Sequence, residues 1–134
     1  MSQRAAGAFD VKVTPQKPDT QIARAANLER LTIDKRFHGD LEGISKGEML
    51  ATQTDTPGSA GYVAMERVTG TLKGRTGSFV LQHSATMTRG APKASIAVVP
   101  DSGTGELQGI SGTMTITVAG DGSHSYEFDY KIGP

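Results

Sequence analysis

Glu66 is the residue of this sequence whose surroundings point most clearly to chemistry. It shares the side-chain parity of a predicted strand with Tyr62 and Val68, while Met65 and Arg67 share the opposite parity. Either Glu66 or Arg67 must therefore face the interior of the fold. A carboxylate inside an apolar interior has a raised pKa or requires an arginine or histidine partner. Such a group can act as a general acid or base.

The next predicted strand supplies His83 as a hydrogen-bonding companion for Glu66, and Tyr62 is a second candidate. His83 shares its strand face with apolar residues. The alternative is that Glu66 faces solvent and pairs with a lysine or arginine on the next strand. With that reversed parity, Arg67 and Gln82 would be the polar groups of the interior. The sequence leaves both orientations open.

The three histidines do not predict a metal site. His38, His83 and His124 lack the short spacing that places two metal ligands on one face of a strand or helix. His124 shares its strand face with Tyr126 and Phe128, so an imidazole held inside or at the mouth of an apolar layer is the simpler interpretation. Three strands of a barrel could still bring three histidines together, but we expect no metal, and we expect no cofactor.

The segment Gly43-Ile44-Ser45-Lys46-Gly47 matches the G-x-S-x-G pattern of a nucleophile elbow, which exposes a serine at a sharp turn between a strand and a helix. No helical pattern follows it here. Without that helix the backbone does not supply the elbow or its oxyanion donors, so Ser45 is not predicted to be a nucleophile. The chain also has no cysteine, which excludes disulfides, thiolate catalysis and cysteine-based metal sites.

The overall charge argues against nucleic acid as a partner. Lysine plus arginine and aspartate plus glutamate number 14 each, so no net positive field attracts a phosphate backbone.

Residues 1–7 predict neither a signal peptide nor a membrane anchor, and no segment approaches the ~20 apolar residues that span a bilayer. We expect a soluble cytoplasmic protein. Homodimer formation is an open alternative to a monomer, since two-fold dimers are the commonest oligomers.

Strand-like alternation places these residues on a β-sheet. The clearest example is His124–Ile132, in which aromatic and apolar residues alternate with polar ones. It follows a second alternating stretch, Ile110–Val118, across a Gly-Asp-Gly turn, which predicts a hairpin. Further strands are predicted at residues 9–13, 39–54, 61–72, 78–88 and 94–99, with the first ended by Pro15 and the second bulged at Gly43 and Gly47.

Residues 20–37 give the weakest pattern. Their alanines could form one or two helical turns, whereas Leu31, Ile33 and Phe37 return to strand spacing, so we predict a strand from about Leu28 and leave the preceding residues undecided. The total is about eight strands with little or no helix, in one domain spanning residues 1–134. An open sheet of that size would leave exposed edges and a half-covered core, so we predict an all-β fold, a closed antiparallel β-barrel.

Several blocks of the sequence resemble those of a bacterial protein family known as a domain of unknown function. They follow one another along nearly the whole chain: Gly39-Asp40-Leu41-Glu42-Gly43, Gly47-Glu48-Met49-Leu50, Gly61-Tyr62-Val63-Ala64-Met65-Glu66-Arg67-Val68, Gly77-Ser78-Phe79-Val80-Leu81-Gln82-His83 and Val99-Pro100-Asp101-Ser102-Gly103-Thr104-Gly105-Glu106-Leu107. The resemblance implies the allene oxide cyclase-like barrel fold. It implies no reaction and no catalytic residue. Distant relatives of that fold include cyclases and other proteins that enclose an apolar ligand, which is an analogy of fold alone.

The expected function follows from polar residues set among apolar ones on the central strands. An eight-stranded barrel has room for packed side chains or for one small ligand, so we predict binding of a small, mostly apolar molecule in the barrel lumen. The predicted ligand-binding residues are Tyr62, Glu66, Gln82, His83, His124 and Tyr126, of which Glu66 and His83 are also the candidate catalytic residues. Two alternatives remain open: a cofactor-independent isomerase or cyclase that uses the same acid and base groups, and a structural or assembly protein without a ligand.

Overall fold

The alternating sequence patterns correspond to eight antiparallel strands in the structure, a computed structural model that describes residues 2–133. The strands are β1 (Gln3–Gln16), β2 (Glu29–Phe37), β3 (Leu41–Gln53), β4 (Ala60–Leu72), β5 (Arg75–Thr88), β6 (Ala91–Val98), β7 (Ile110–Val118) and β8 (His124–Ile132). Each strand pairs with the next along the chain, and β8 returns to pair with β1. The predicted closed antiparallel β-barrel is therefore confirmed. The described part of the chain contains no helix long and apolar enough to cross a membrane.

Strand β1 is longer than the sequence predicts. The alternation of Phe9, Val11 and Val13 marks only its middle. Residues 3–9 pair with β8, and residues 9–16 pair with β2. Pro15 was predicted to end the strand, but β1 continues through it and pairs with β2 as far as Gln16. This is possible because β1 has a strand partner on one side only at that point. The missing N–H of the proline can then face the side that has no strand partner.

The undecided residues before β2 form a short helix, α1 (Gln21–Ala26). The hydroxyl of Thr20 caps this helix by accepting a hydrogen bond from the amide of Ala23, as is usual for threonine at an N-cap. Asn27 ends the helix in the left-handed conformation with φ of 55°, which asparagine tolerates. Strand β2 then begins at Glu29, directly after the predicted start at Leu28.

Inward side chains divide the lumen into a packed end and an open end. The packed end contains large buried side chains: Phe37, Leu41, Leu72, Phe79, Leu107, Phe128 and Tyr130. Leu107 belongs to a short 3-10 turn, Gly105–Leu107, in the connection between β6 and β7. The opposite, open end carries α1 and the β3–β4, β5–β6 and β7–β8 connections.

Gly47 lies in an unbroken ladder rather than in a bulge. The sequence predicts that glycines interrupt β3, but pairing with β4 runs without a gap along the whole of β3. Gly47 lies directly opposite Glu66, and a Cβ at this position would collide with the carbonyl oxygen of Met65. The glycine therefore lets β3 and β4 approach closely beside the Glu66 carboxylate.

The parity of β4 is the one that places Glu66 inside the barrel. Glu66 faces the lumen and is 1% exposed, whereas Val63 and Met65 lie on the outer face and are 55% and 49% exposed. Arg67 also faces outward. Strand β4 therefore presents Glu66 to the interior, on the same face as Tyr62.

Candidate functional site

The open end of the lumen contains a cavity of about 670 Å³. Most of its wall is apolar and includes Val11, Ile33, Met49, Ile96, Met114 and Ile116. Besides two threonines, the polar side chains that line it are Lys35, Tyr62, His83 and His124. Ligand pockets typically measure roughly 300–1,000 Å³ and combine an apolar lining with a few polar groups, so this cavity has the ordinary properties of a small-molecule site.

Lys35 and Glu66 form a buried ion pair at the inner end of this cavity. The Nζ atom of Lys35 lies 3.0 Å from Oε1 and 3.1 Å from Oε2 of Glu66, so both carboxylate oxygens are engaged. Lys35 lines the cavity, whereas Glu66 lies behind it. The ammonium group also lies 5.1 Å from the centroid of the Phe9 ring, which is a cation–π contact.

Ser45 and His83 complete the surroundings of the carboxylate. The hydroxyl of Ser45 donates a hydrogen bond to Oε1 of Glu66 at 2.9 Å, and Nδ1 of His83 lies 3.6 Å from Oε2. On the other side of the imidazole, Nε2 lies 2.8 Å from the hydroxyl oxygen of Tyr62. Lys35, Ser45, Glu66, His83 and Tyr62 therefore form one connected polar network.

This network holds Glu66 in its ionised form. Burial by itself would raise the pKa of Glu66. The facing His83 imidazole, the charge and hydrogen bond of Lys35, and the hydrogen bond of Ser45 together outweigh burial and lower the pKa below the usual value for glutamate. The sequence predicts an arginine or histidine partner for a buried Glu66. His83 is that partner in the structure, and Lys35 is a second one. Glu66 is thus a hydrogen-bond acceptor at neutral pH and not an acid.

The contacts favour one arrangement of the protons between Tyr62, His83 and Glu66. A carboxylate can only accept hydrogen bonds, so Glu66 favours the histidine tautomer with its proton on Nδ1. The Nε2 atom then accepts the hydrogen bond of the Tyr62 hydroxyl. Burial, followed by the negative charge of Glu66, raises the pKa of Tyr62 and keeps that hydroxyl protonated. A tyrosine, a histidine and a carboxylate in series can relay a proton at the cavity surface.

Lys35 is the part of the site that sequence reasoning misses. It lies between Ile33 and Phe37 in the alternation of β2, so its inward parity is visible in the sequence. Lysine is almost never fully buried without a partner, which favours assigning such a position to solvent. Ser45 attracts attention through the G-x-S-x-G pattern, but its role is to donate a hydrogen bond to Glu66.

The other three predicted ligand-binding residues lie in three different parts of the barrel. His124 lines the cavity. Tyr126 lies in the packed end, where its hydroxyl accepts a hydrogen bond from the amide of Leu41 and donates one to the carbonyl oxygen of His38. Gln82 was a candidate for the lumen only if the strands had the opposite parity. In the structure it is exposed on the outer face. Within residues 2–133, no group of three histidine, aspartate or glutamate side chains is arranged to hold a metal ion.

A second apolar surface lies on the outside of the barrel. It is a shallow depression around the half-exposed side chains of Leu28, Leu50 and Val63, interrupted by Thr52 and Ser84. Exposed apolar surface can mark an interface, so an assembly role and a homodimer remain predictions. The lumen cavity combines apolar walls with buried charges and is the stronger candidate site.

Comparison with known proteins places this barrel in a family. The chain matches a family model described as a protein of unknown function, DUF3224, over residues 5–130. A crystal structure of a protein with unknown function from the DUF3224 family of Shewanella oneidensis MR-1 is 45% identical, with 100% of both chains covered and a TM-score of 0.90. No curated protein matches the chain. The resemblance to a bacterial family of unknown function is confirmed, and the chain belongs to the DUF3224 family.

Proposed function

We propose that the protein binds a compact, mostly apolar molecule in the lumen cavity. The observation that supports this most directly is an apolar wall that also carries Lys35, Tyr62 and His83. A few polar groups within an apolar lining fix the orientation of a ligand, while the lining supplies most of its contacts.

The contrast between the two ends of the lumen also supports an occupant. Protein interiors are ordinarily filled, with few voids larger than a water molecule. The packed end follows that rule with Phe37, Phe79 and Phe128. The open end leaves a cavity of about 670 Å³, and its wall atoms forgo the dispersion contacts that a filled interior provides. A ligand of suitable size would restore those contacts.

Prodan, a neutral naphthyl ketone whose fluorescence shifts to shorter wavelength in apolar surroundings, provides the test. Wild-type protein is expected to bind it. Ala85 lines the cavity as the cross-strand neighbour of Tyr62, so Ala85→Trp places an indole where the ligand would lie. We expect this variant to weaken prodan binding by about tenfold or more, which corresponds to a loss of about 1.4 kcal/mol.

Gln82→Trp is the matched control, since it adds the same indole to the outer face of the same strand. It should leave prodan affinity unchanged. Native mass spectrometry of the purified proteins gives an independent measurement, in which a small molecule retained by wild type and Gln82→Trp should be absent from Ala85→Trp. Equal prodan affinity of the two variants, or no binding by wild type, would contradict a lumen site.

A second function, proton transfer by a cofactor-independent isomerase or cyclase, is favoured by the contact between Tyr62 and His83. The hydroxyl of Tyr62 lies 2.8 Å from Nε2 of His83, whose other nitrogen faces the ionised Glu66. In such a series His83 can take the Tyr62 proton while Tyr62 takes one from a substrate carbon, and the steps can reverse. Glu66 does not line the cavity, so it would act by positioning His83.

Replacing Tyr62 with phenylalanine separates the two functions, because the ring stays and the hydroxyl is lost. A binding protein should keep its affinity for prodan within about tenfold, whereas a proton-transfer enzyme should lose turnover by about 100-fold or more. Turnover is measured by nuclear magnetic resonance as deuterium uptake next to the prodan carbonyl in heavy water. Uptake by wild type no faster than in buffer would rule out proton transfer at this carbon.

A further inference from the structure

We propose that the ligand of the lumen cavity is a neutral molecule that presents a carbonyl oxygen to Lys35, and that the site rejects carboxylates. This inference rests on the proposed binding function and adds the chemical class of the ligand. The charges and the hydrogen bonds at the inner end of the cavity carry it.

The charge of Lys35 is already neutralised inside the protein. Its Nζ atom contacts both oxygens of Glu66, and the two side chains are 6% and 0% exposed. Within the described residues, Lys35 is the one lysine or arginine that lines the cavity. A ligand carboxylate would have to share this cation with Glu66, and the site would then contain a net negative charge between apolar walls. An uncompensated buried charge of this kind is strongly disfavoured.

Tyr62 does not offset that charge. In the His83 tautomer that Glu66 favours, Nε2 engages the Tyr62 proton, so the hydroxyl oxygen has only lone pairs left to offer a ligand. Lone pairs repel an anion. Anion-binding sites require several donors directed at the same point, whereas the one ammonium group in the lining of this cavity is already engaged by Glu66.

A neutral acceptor fits the donor that remains. An ammonium group has three N–H donors, and the side-chain hydrogen bonds of Lys35 within residues 2–133 are made to Glu66. The two oxygens of one carboxylate use at most two of these donors in this geometry, which leaves an N–H for the cavity. One carbonyl oxygen accepts that hydrogen bond without adding a charge.

The experiment compares two probes built on the same dimethylaminonaphthalene ring system. Prodan carries a propionyl group on its naphthalene, and the corresponding dimethylaminonaphthoate carries a carboxylate at that position. Wild type at neutral pH is expected to bind prodan about tenfold or more tightly than the naphthoate. Glu66→Gln keeps the size of the side chain but removes the charge that neutralises Lys35, so this preference should shrink or reverse. Glu127→Gln, a change to an exposed carboxylate on β8, should leave the preference unchanged.

The possible outcomes separate a failure of this inference from a failure of the proposed binding function. If wild type binds the naphthoate as tightly as prodan, or more tightly, the carbonyl assignment is overturned and the proposed binding function still stands. If neither probe binds, both proposals fail. A folded Glu66→Gln protein with the wild-type preference would also overturn the charge argument. The wild-type comparison decides the matter even if Glu66→Gln does not fold.

Discussion

Replacing Lys35 with methionine should lower the free energy of unfolding by about 3–5 kcal/mol, because Glu66 would remain buried without its cation. Methionine preserves much of the apolar stem of lysine, so the loss of packing is small. The Ser45 hydroxyl would still donate a hydrogen bond to the carboxylate, but it carries no charge. Urea denaturation of both proteins gives the difference in free energy.

Lys46→Met is the matched control for this prediction. Lys46 pairs with Asp34 at 2.8 Å on the outer face, where the two side chains are 62% and 55% exposed. Exposed pairs contribute about 0–1 kcal/mol, so this variant should lose little. The double variant Lys35→Met/Glu66→Leu makes the site apolar and should recover most of the loss. Equal losses for Lys35→Met and Lys46→Met would contradict a buried, charge-dependent role.

The difference in unfolding free energy between wild type and Lys35→Met should also become smaller as the pH is lowered. The pKa of Glu66 is lowered in the folded wild type. This contributes stability that is present above the pKa of an unfolded glutamate and is lost as pH falls through the folded value. In the variant, the carboxyl group takes up a proton as pH falls and the unpaired charge disappears. A difference that stayed constant with pH would indicate lost packing rather than lost charge.

The strands of the site could be predicted from the sequence, whereas the choice between their faces could not. Alternation on β4 places Tyr62 and Glu66 on one face and Met65 and Arg67 on the other. Each face then carries one charged residue among apolar ones, so local pattern gives no preference. The closed barrel decides, because only one face can surround the core. That choice puts Glu66 inside and Gln82 of β5 outside.

Position along the barrel axis is the second property that the sequence does not contain. His124 and Tyr126 share one face of β8, and both were predicted to bind ligand. In the structure His124 lines the cavity, while Tyr126 lies in the packed end. The tilt and stagger of strands fix the depth of each residue, and these depend on how all eight strands close. Lys35 meets Glu66, 31 residues away in sequence, for the same reason.

Raising the pH should destabilise the barrel, because ionisation of its tyrosines is less favourable in the folded state than in the unfolded chain. Burial raises the pKa of each of the three tyrosines in the sequence, Tyr62, Tyr126 and Tyr130. The unfolded chain releases these protons near pH ~10, the usual pKa of tyrosine. Their stabilising contribution is thus fully present below that pH and is lost as pH rises through the folded values. Between the two, each tyrosine lowers the free energy of unfolding as pH rises, by at most about 1.4 kcal/mol per pH unit.

Phenolate absorbance and circular dichroism, recorded through the same alkaline titration, test this coupling. The absorbance should rise together with the loss of β-sheet signal, since the phenols ionise more readily in the unfolded chain. Tyr62→Phe provides the matched control: it retains the aromatic ring, and its free energy of unfolding should fall less steeply with pH than that of wild type. Phenolate absorbance that develops while the β-sheet signal is intact would mean that the tyrosines ionise within the folded barrel. Tyr62 forms part of the cavity wall. A weaker pH dependence in Tyr62→Phe than in wild type would therefore show that the fold opposes ionisation of this hydroxyl, as expected if the open end is shaped to enclose a mostly apolar molecule.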